Sequence, residues 1–219
     1  MSEHKIKVKN VSKVLGGRNV LINISVEFYS GKIYGFIGRN GSGKSVFLKC
    51  LCGFMEVSEG QIFEDEKVLK KDIEYLNDCG FLIETPGFLM NESGWKNLQY
   101  LASVNSCIGK KEIYQAIQQV GLEPTEKKHV GKYSLGMRQR LGIAQAIMED
   151  PGILILDEPM NGLDNNGVEM IRELLLELKK KGKMILIASH YKEDIHLLCD
   201  DVYEFEGGHM RKVTNISLK

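Results

Sequence analysis

The chain has 219 residues, enough for one α/β domain with a sizeable core and room for a segment inserted into it. Lys plus Arg and Asp plus Glu number 29 each, so the formal net charge is zero and no global field draws the chain to nucleic acid or anionic lipid. Apolar runs such as ILIL at 153–156 fall far short of the roughly 20 residues that cross a bilayer, so the chain forms no pore by itself. The five cysteines are odd in number and show no CxxC spacing, and no secretory signal precedes them; reduced thiols in the cytosol are expected.

Taken in chain order, short β-branched or apolar runs alternate with segments of helical period, the pattern of a mostly parallel sheet covered by helices. Strands are expected at 5–11, 22–28, 32–38, 60–63, 79–83, 152–157, 183–188 and 202–206. INISVEF at 22–28 alternates apolar and polar residues before Ser30 and Gly31, which suits a half-solvated antiparallel strand and makes the core sheet mixed. Between Glu92 and Asp150 the β signal fades. There Leu98, Leu101 and Val104, then Ile113, Ile117 and Val120, recur at helical spacing, which predicts an inserted all-helical subdomain. The division expected is a core of 1–84 and 151–219 around a helical segment of about 85–150. A last helix over 168–181 places Val168, Ile171, Leu174, Leu175 and Leu178 on one face, with Asn165 or Asn166 able to cap its start and Gly182 its end. The charge run from Lys179 to Lys183 reads as a solvated helix terminus, where cations meet the negative end of the dipole.

Residues 38–45 read GRNGSGKS, matching GxxxxGK[ST] between an apolar strand and a helical run. Gly38, Gly41 and Gly43 permit a tight turn in which the backbone of Arg39, Asn40 and Ser42 can aim N–H groups at phosphate oxygens. Lys44 supplies a charge for the terminal phosphates, and the Ser45 hydroxyl suits Mg²⁺. Downstream, ILILDEP ends a buried strand in Asp157, suited to the cation, and Glu158, suited to orienting or deprotonating a water. The loop alone signals an NTPase.

With YSLGMRQR at 133–140 placed before ILILDEP, the chain resembles the nucleotide-binding subunits of ABC transporters over nearly its whole length. The segment is similar to the family signature LSGGQxQR. The resemblance implies that Ser134 and Gly136 cap the γ-phosphate of ATP held by an opposite subunit, so two copies are expected to sit head to tail. MNGLD at 160–164 resembles the D-loop, and His190 in ASH resembles the switch histidine. The resemblance further implies a P-loop NTPase fold, ATP and Mg²⁺ as ligands, transmembrane permease subunits as partners, no nucleic acid, and a position on the inner face of the cell membrane.

Three departures stand out. Glu84, in GFLIETPGFL, occupies the position usually held by the glutamine of the Q-loop; it keeps an oxygen for the cation and adds a negative charge beside the phosphates. Glutamate there resembles the subgroup that exports peptide antibiotics, including lantibiotic-immunity and bacitracin-resistance transporters. In the signature, Leu135 and Met137 flank Gly136 and depart from the family's glycine pattern there, Met137 replacing a glutamine-like or second-glycine region only loosely. Leu15 replaces the aromatic on which adenine usually stacks, leaving apolar contact only.

Export is expected from the Glu84 context and from the absence of a C-terminal regulatory domain. Residues 85–100, with Phe88, Leu89, Met90 and Trp95, form a candidate docking surface for the permease. The rival reading, a soluble ABC-type ATPase acting on the ribosome or DNA, calls for a second nucleotide domain, a long coiled-coil insertion or basic extensions, and the sequence carries none of these.

Overall fold

Two sheets carry the fold in the computed structural model, which describes residues 4–84, 86–105 and 107–213. In the first, β1 (Lys5–Leu15) pairs antiparallel with β2 (Arg18–Tyr29) across Gly16 and Gly17. Both glycines have positive φ, the requirement of a tight hairpin whose twist matches its strands. β3 (Ile33–Ile37) leaves this sheet, while β4 (Glu59–Glu64) returns to the free edge of β1 and β5 (Lys67–Val68) extends it.

The second sheet adds β6 (Cys79–Leu82), β7 (Ile153–Asp157), β8 (Met184–Ala188), β9 (Asp201–Glu206) and β10 (His209–Val213) to β3. Their spatial order is β10-β9-β3-β8-β7-β6, parallel except for β10. The eight expected strands are therefore present, but they do not share one mixed sheet. Leu21, Ile24 and Phe28 of β2 are buried while Asn23 is exposed, so this half-solvated strand pairs in a separate antiparallel layer. Neither β5 nor β10 was expected, since KV is too short and HMRKV too polar to signal a strand. Arg211 pays for its edge position on β10 by an ion pair to Glu204 of β9 at 2.6 Å.

The described residues also form six α-helices: α1 (Lys44–Cys52), α2 (Gly94–Asn105), α3 (Lys110–Gln119), α4 (Leu135–Ile147), α5 (Asn165–Lys180) and α6 (Lys192–Leu198). Between β6 and β7 the described residues contain helices and no named strand, as the fading β signal predicts. The apolar stripe of α2 is only partly buried. Leu98 is fully enclosed, whereas Leu101 is 39% and Val104 79% exposed.

Asp164, rather than Asn165 or Asn166, caps α5: its carboxylate accepts from Gly167 N–H at 3.0 Å, where a negative charge also meets the positive end of the dipole. Gly182 closes the other end at φ 82. The lysine run is not uniformly solvated. Lys183 is 8% exposed, and its Nζ donates to the carbonyls of Asp150 and Pro151 at 2.8 and 2.6 Å.

The core has two parts. One lies between the sheets and holds α1 by its buried face, Phe47, Leu48 and Leu51, in an aromatic cluster with Phe28, Phe36 and Phe205. Each such side chain contributes about 1.5–3 kcal/mol on burial. The other lies on the opposite face of the second sheet, under α2 to α6. Parallel pairing brings the carboxyl ends of β3, β6, β7 and β8 to one edge, where open α/β sheets bind ligands.

Candidate functional site

That edge collects the motif residues. β3 ends at Ile37, the chain turns through residues 38–42, and α1 begins at Lys44 with Gly43 at φ 110 as its cap. Two of the glycines are sterically required. A Cβ on Gly38 would lie 2.5 Å from the Phe205 carbonyl, and one on Gly43 would lie 2.8 Å from the Val20 carbonyl. Gly41, by contrast, faces open space beside the exposed Arg39 and Asn40.

The cradle carries unspent donor capacity. No side chain caps α1, so its first N–H groups are available at the positive end of the helix. The Ser42 hydroxyl is buried without a hydrogen-bond partner. Lys44 is 6% exposed, and its Nζ donates to the carbonyls of Gly38 at 2.8 Å and Arg39 at 3.4 Å. A buried ammonium resting on neutral oxygens, an orphaned hydroxyl and an uncapped helix start are the features a polyphosphate would satisfy.

Asp157, at the end of β7, stands beside Ser45, whose hydroxyl favours its ionised form. Burial pushes its carboxyl above the usual range; the Ser45 hydroxyl works against this, and the neighbouring Glu158 adds to it. Ser45 and Asp157 are hard oxygen donors suited to Mg²⁺, which would neutralise the buried carboxylate. Glu84 was expected beside them as a third ligand. It lies at the end of β6, and its carboxylate pairs instead with Lys49 of α1. Among the described residues no cluster of three or more His, Cys, Asp or Glu side chains has metal-holding geometry.

Glu158 and His190 meet directly. His190 Nδ1 and Glu158 Oε2 share a hydrogen bond at 2.8 Å, and the His190 main-chain N–H donates to the same oxygen at 3.3 Å. Because an ionised carboxylate only accepts, the bond places a proton on Nδ1 and leaves Nε2 of a neutral ring as an acceptor. Glu158 has φ 50, a left-handed posture uncommon for a side-chain-bearing residue. Its N–H donates to Ala188 O at 2.8 Å, and its own carbonyl accepts from Asn161 N–H at 3.1 Å and Gln139 Nε2 at 2.9 Å. The carboxylate is thereby aimed from three sides.

Ser134 and Gly136 stand at the start of α4. The Ser134 hydroxyl caps the helix by accepting from Met137 N–H at 3.1 Å, yet the residue is exposed. A Cβ on Gly136 would lie 2.8 Å from the Gly162 carbonyl, so this glycine lets α4 close onto the loop after Glu158. Gln139, three residues on, was given no role by the sequence; its i+3 spacing from Gly136 is the signal that places it on the same face. Leu15 is 36% exposed at the end of β1. On the proposed docking segment, Leu89 and Met90 are half exposed, but Phe88 is buried at 8% beneath them and Trp95 packs against the core; Thr85 lies outside the described residues.

Fold and site together define a P-loop NTPase of α/β architecture. Residues 21–161 match the ABC transporter family, to which the chain belongs. It is 41% identical over 214 residues to an uncharacterized ABC transporter ATP-binding protein, YybJ, of Bacillus subtilis, covering 98% of both chains. It is 39% identical over 217 residues to the bacitracin transport ATP-binding protein BcrA of Enterococcus faecalis, covering 98% of this chain and 70% of that one. Among solved structures, the ATP binding subunit of an ABC transporter superposes with a TM-score of 0.84 at 27% identity, over 95% of this chain and 89% of that one.

Proposed function

We propose that the chain is the ATP-binding and ATP-hydrolysing subunit of an ABC transporter. In this reading residues 38–45 hold the phosphates, with Lys44 on the terminal ones, and Ser45 and Asp157 hold Mg²⁺, which would supply charge neutralisation for the leaving oxygen. Glu158 orients the attacking water and takes its proton, while His190 holds the carboxylate through Nδ1. The observation that carries the reading is the direct Glu158–His190 hydrogen bond on the same sheet edge as the buried Lys44 and the Ser45–Asp157 pair.

Ser134 and Gly136 are assigned to the nucleotide of a second copy, or of a paralogous ATPase, in a head-to-tail dimer. The exposure of the Ser134 cap supports this, since the helix start is open to an anion from outside the chain. Because Phe88 and Trp95 of the segment expected to dock the permease pack inward, permease subunits are assigned instead to a groove of about 590 Å³ beside the core of 1–84 and 151–219 and the helical segment between them, where Phe81, Leu101 and Val104 expose apolar surface. Among the described residues no helix is long and apolar enough to cross a membrane, consistent with separate membrane subunits and a peripheral position on the inner face. Export is favoured by Glu84 and its sequence context.

Replacing Glu158 by Gln tests the assignment. ATP binding is expected to persist while steady hydrolysis falls by about 10²-fold or more, with an ATP-dependent dimer accumulating in size-exclusion chromatography. Unchanged turnover would remove Glu158 as the base, and loss of nucleotide binding in that variant would remove the separation of cradle and base.

A further inference from the structure

Glu84 introduces an electrostatic difficulty. With Asp157 and Glu158 it makes a third carboxylate at a site that must accept a polyphosphate, and its charge is felt at Asp157, whose carboxyl is raised chiefly by burial and further by Glu158 and Glu84. Two acids at this sheet edge would be offset by a cation held at Ser45 and Asp157. A third needs compensation whenever the cation is absent.

The compensation comes from α1. Lys49 lies four residues after Ser45, hence one turn below it on the same helical face, and its Nζ forms an ion pair with Glu84 Oε1. The Lys49 side chain is 26% exposed and backed by the protein, whereas that of Glu84 is 66% exposed and free to swing. Glu84 also stands at φ 61, a left-handed backbone posture that a glutamate rarely adopts and that must be held from outside the residue. Among its described hydrogen bonds and ion pairs, the Lys49 contact is the one that supplies such a hold.

We propose that Lys49 is a positioning residue for Glu84: it parks the carboxylate on the phosphate-loop helix when the site is empty and yields it to the Mg²⁺-nucleotide complex, so that ion pair and cation compete for one acid. This rests on the function proposed above, and it makes the response to Mg²⁺, rather than nucleotide affinity as such, the property that Lys49 sets. With Lys49 in place, the site tolerates metal-free nucleotide because Glu84 is neutralised. Without it, the bare carboxylate repels phosphate in the absence of cation and attracts Mg²⁺ in its presence.

The experiment is a double-variant cycle on the full chain, read as the Kd of a fluorescent ATP analogue with Mg²⁺ and with a chelator, and so independent of turnover. Lys49→Met, which keeps the aliphatic stem, is expected to raise the ratio of metal-free to Mg²⁺ Kd about two- to fivefold, the range for a partly exposed ion pair. Lys49→Arg is expected to restore the ratio. Glu84→Gln is expected to lower it, and Lys49→Met added to Glu84→Gln is expected to change nothing further. An equal effect of Lys49→Met in both backgrounds would overturn the proposal, because Lys49 would then act on the phosphates directly; an unchanged ratio in Lys49→Met alone would overturn it as well. Failure of the underlying function is recognised separately, by a wild-type chain that binds no nucleotide or by a Lys44→Ala variant that binds as tightly as wild type.

Discussion

Gln139 of α4 donates from Nε2 to the main-chain carbonyls of Glu158 and Pro159, at 2.9 and 3.2 Å. One amide thus fastens the helix that begins at the signature serine to the backbone that aims the candidate base. Because Glu158 already stands in a left-handed posture, the bond holds the carboxylate's direction as well as the helix. Gln139→Leu keeps the approximate volume and removes the donor. It is expected to lower kcat for ATP hydrolysis about tenfold through misplacement of Glu158, with KM for ATP changed less than about twofold. Steady-state kinetics on the purified chain with Mg²⁺-ATP decide it, and a change confined to KM would reject the link.

Asp157 bears a cost in the nucleotide-free fold. Burial raises its carboxyl above the ordinary 3.8, which means the ionised form is disfavoured in the native state. For a group whose folded value is raised, the stabilising contribution is complete below the unfolded value and lost as pH rises through the folded value. Asp157→Asn, which retains an acceptor for Ser45, is therefore expected to melt about 1–3 °C higher than wild type at pH 7 in a chelator. The gap is expected to close as pH falls toward 3.8. Thermal scans across that window test both the sign and the direction of the pH dependence.

Lys183 is the opposite case, a charge that holds the scaffold together. Its Nζ serves the carbonyls of Asp150 and Pro151 and the Asp150 carboxylate, just before β7 delivers Asp157 to the site. Lys183→Met keeps the stem but leaves two carbonyls short of a donor. Urea denaturation is expected to show a loss of about 1–3 kcal/mol, with ATP affinity intact once the chain is folded.

Leu15, partly exposed at the end of β1, offers no flat π-face to a base. ATP and GTP are expected to bind within about threefold of each other, and Leu15→Tyr is expected to tighten ATP about fivefold, the equivalent of one good stacking contact. Isothermal titration with both nucleotides is the measurement. A strong preference of the wild-type chain for ATP would contradict it.

Read from the residues alone, the phosphate loop and the strand ending in Asp157 and Glu158 were legible, because each is a local pattern of backbone permission and chemistry; the signature and the switch histidine were given by the resemblance to ABC transporter subunits. GRNGSGKS announces a strand-to-helix turn without its surroundings, and ILIL announces a buried strand through composition. The helical segment before β7 was legible for the same reason. Its burial was less so: Val104 sits at a helical spacing from Leu98 and Leu101 yet is 79% exposed, since periodicity describes a face without saying what lies against it.

Tertiary structure alone decided which of these residues meet. Glu158 and His190 are 32 residues apart, Gln139 and Glu158 are 19 apart, and Lys49 and Glu84 are 35 apart. Their contacts depend on the strand order β3-β8-β7-β6 and on the packing of α1 and α4 against it, neither of which a linear pattern encodes. The same holds for the split into two sheets and for the burial of Lys183, whose carbonyl partners come from a distant turn. The sequence by itself determined the chemistry available at the site. The fold decided how that chemistry is aimed and compensated, because hydrogen bonds and ion pairs act only over a few ångströms, and only packing brings distant residues that close.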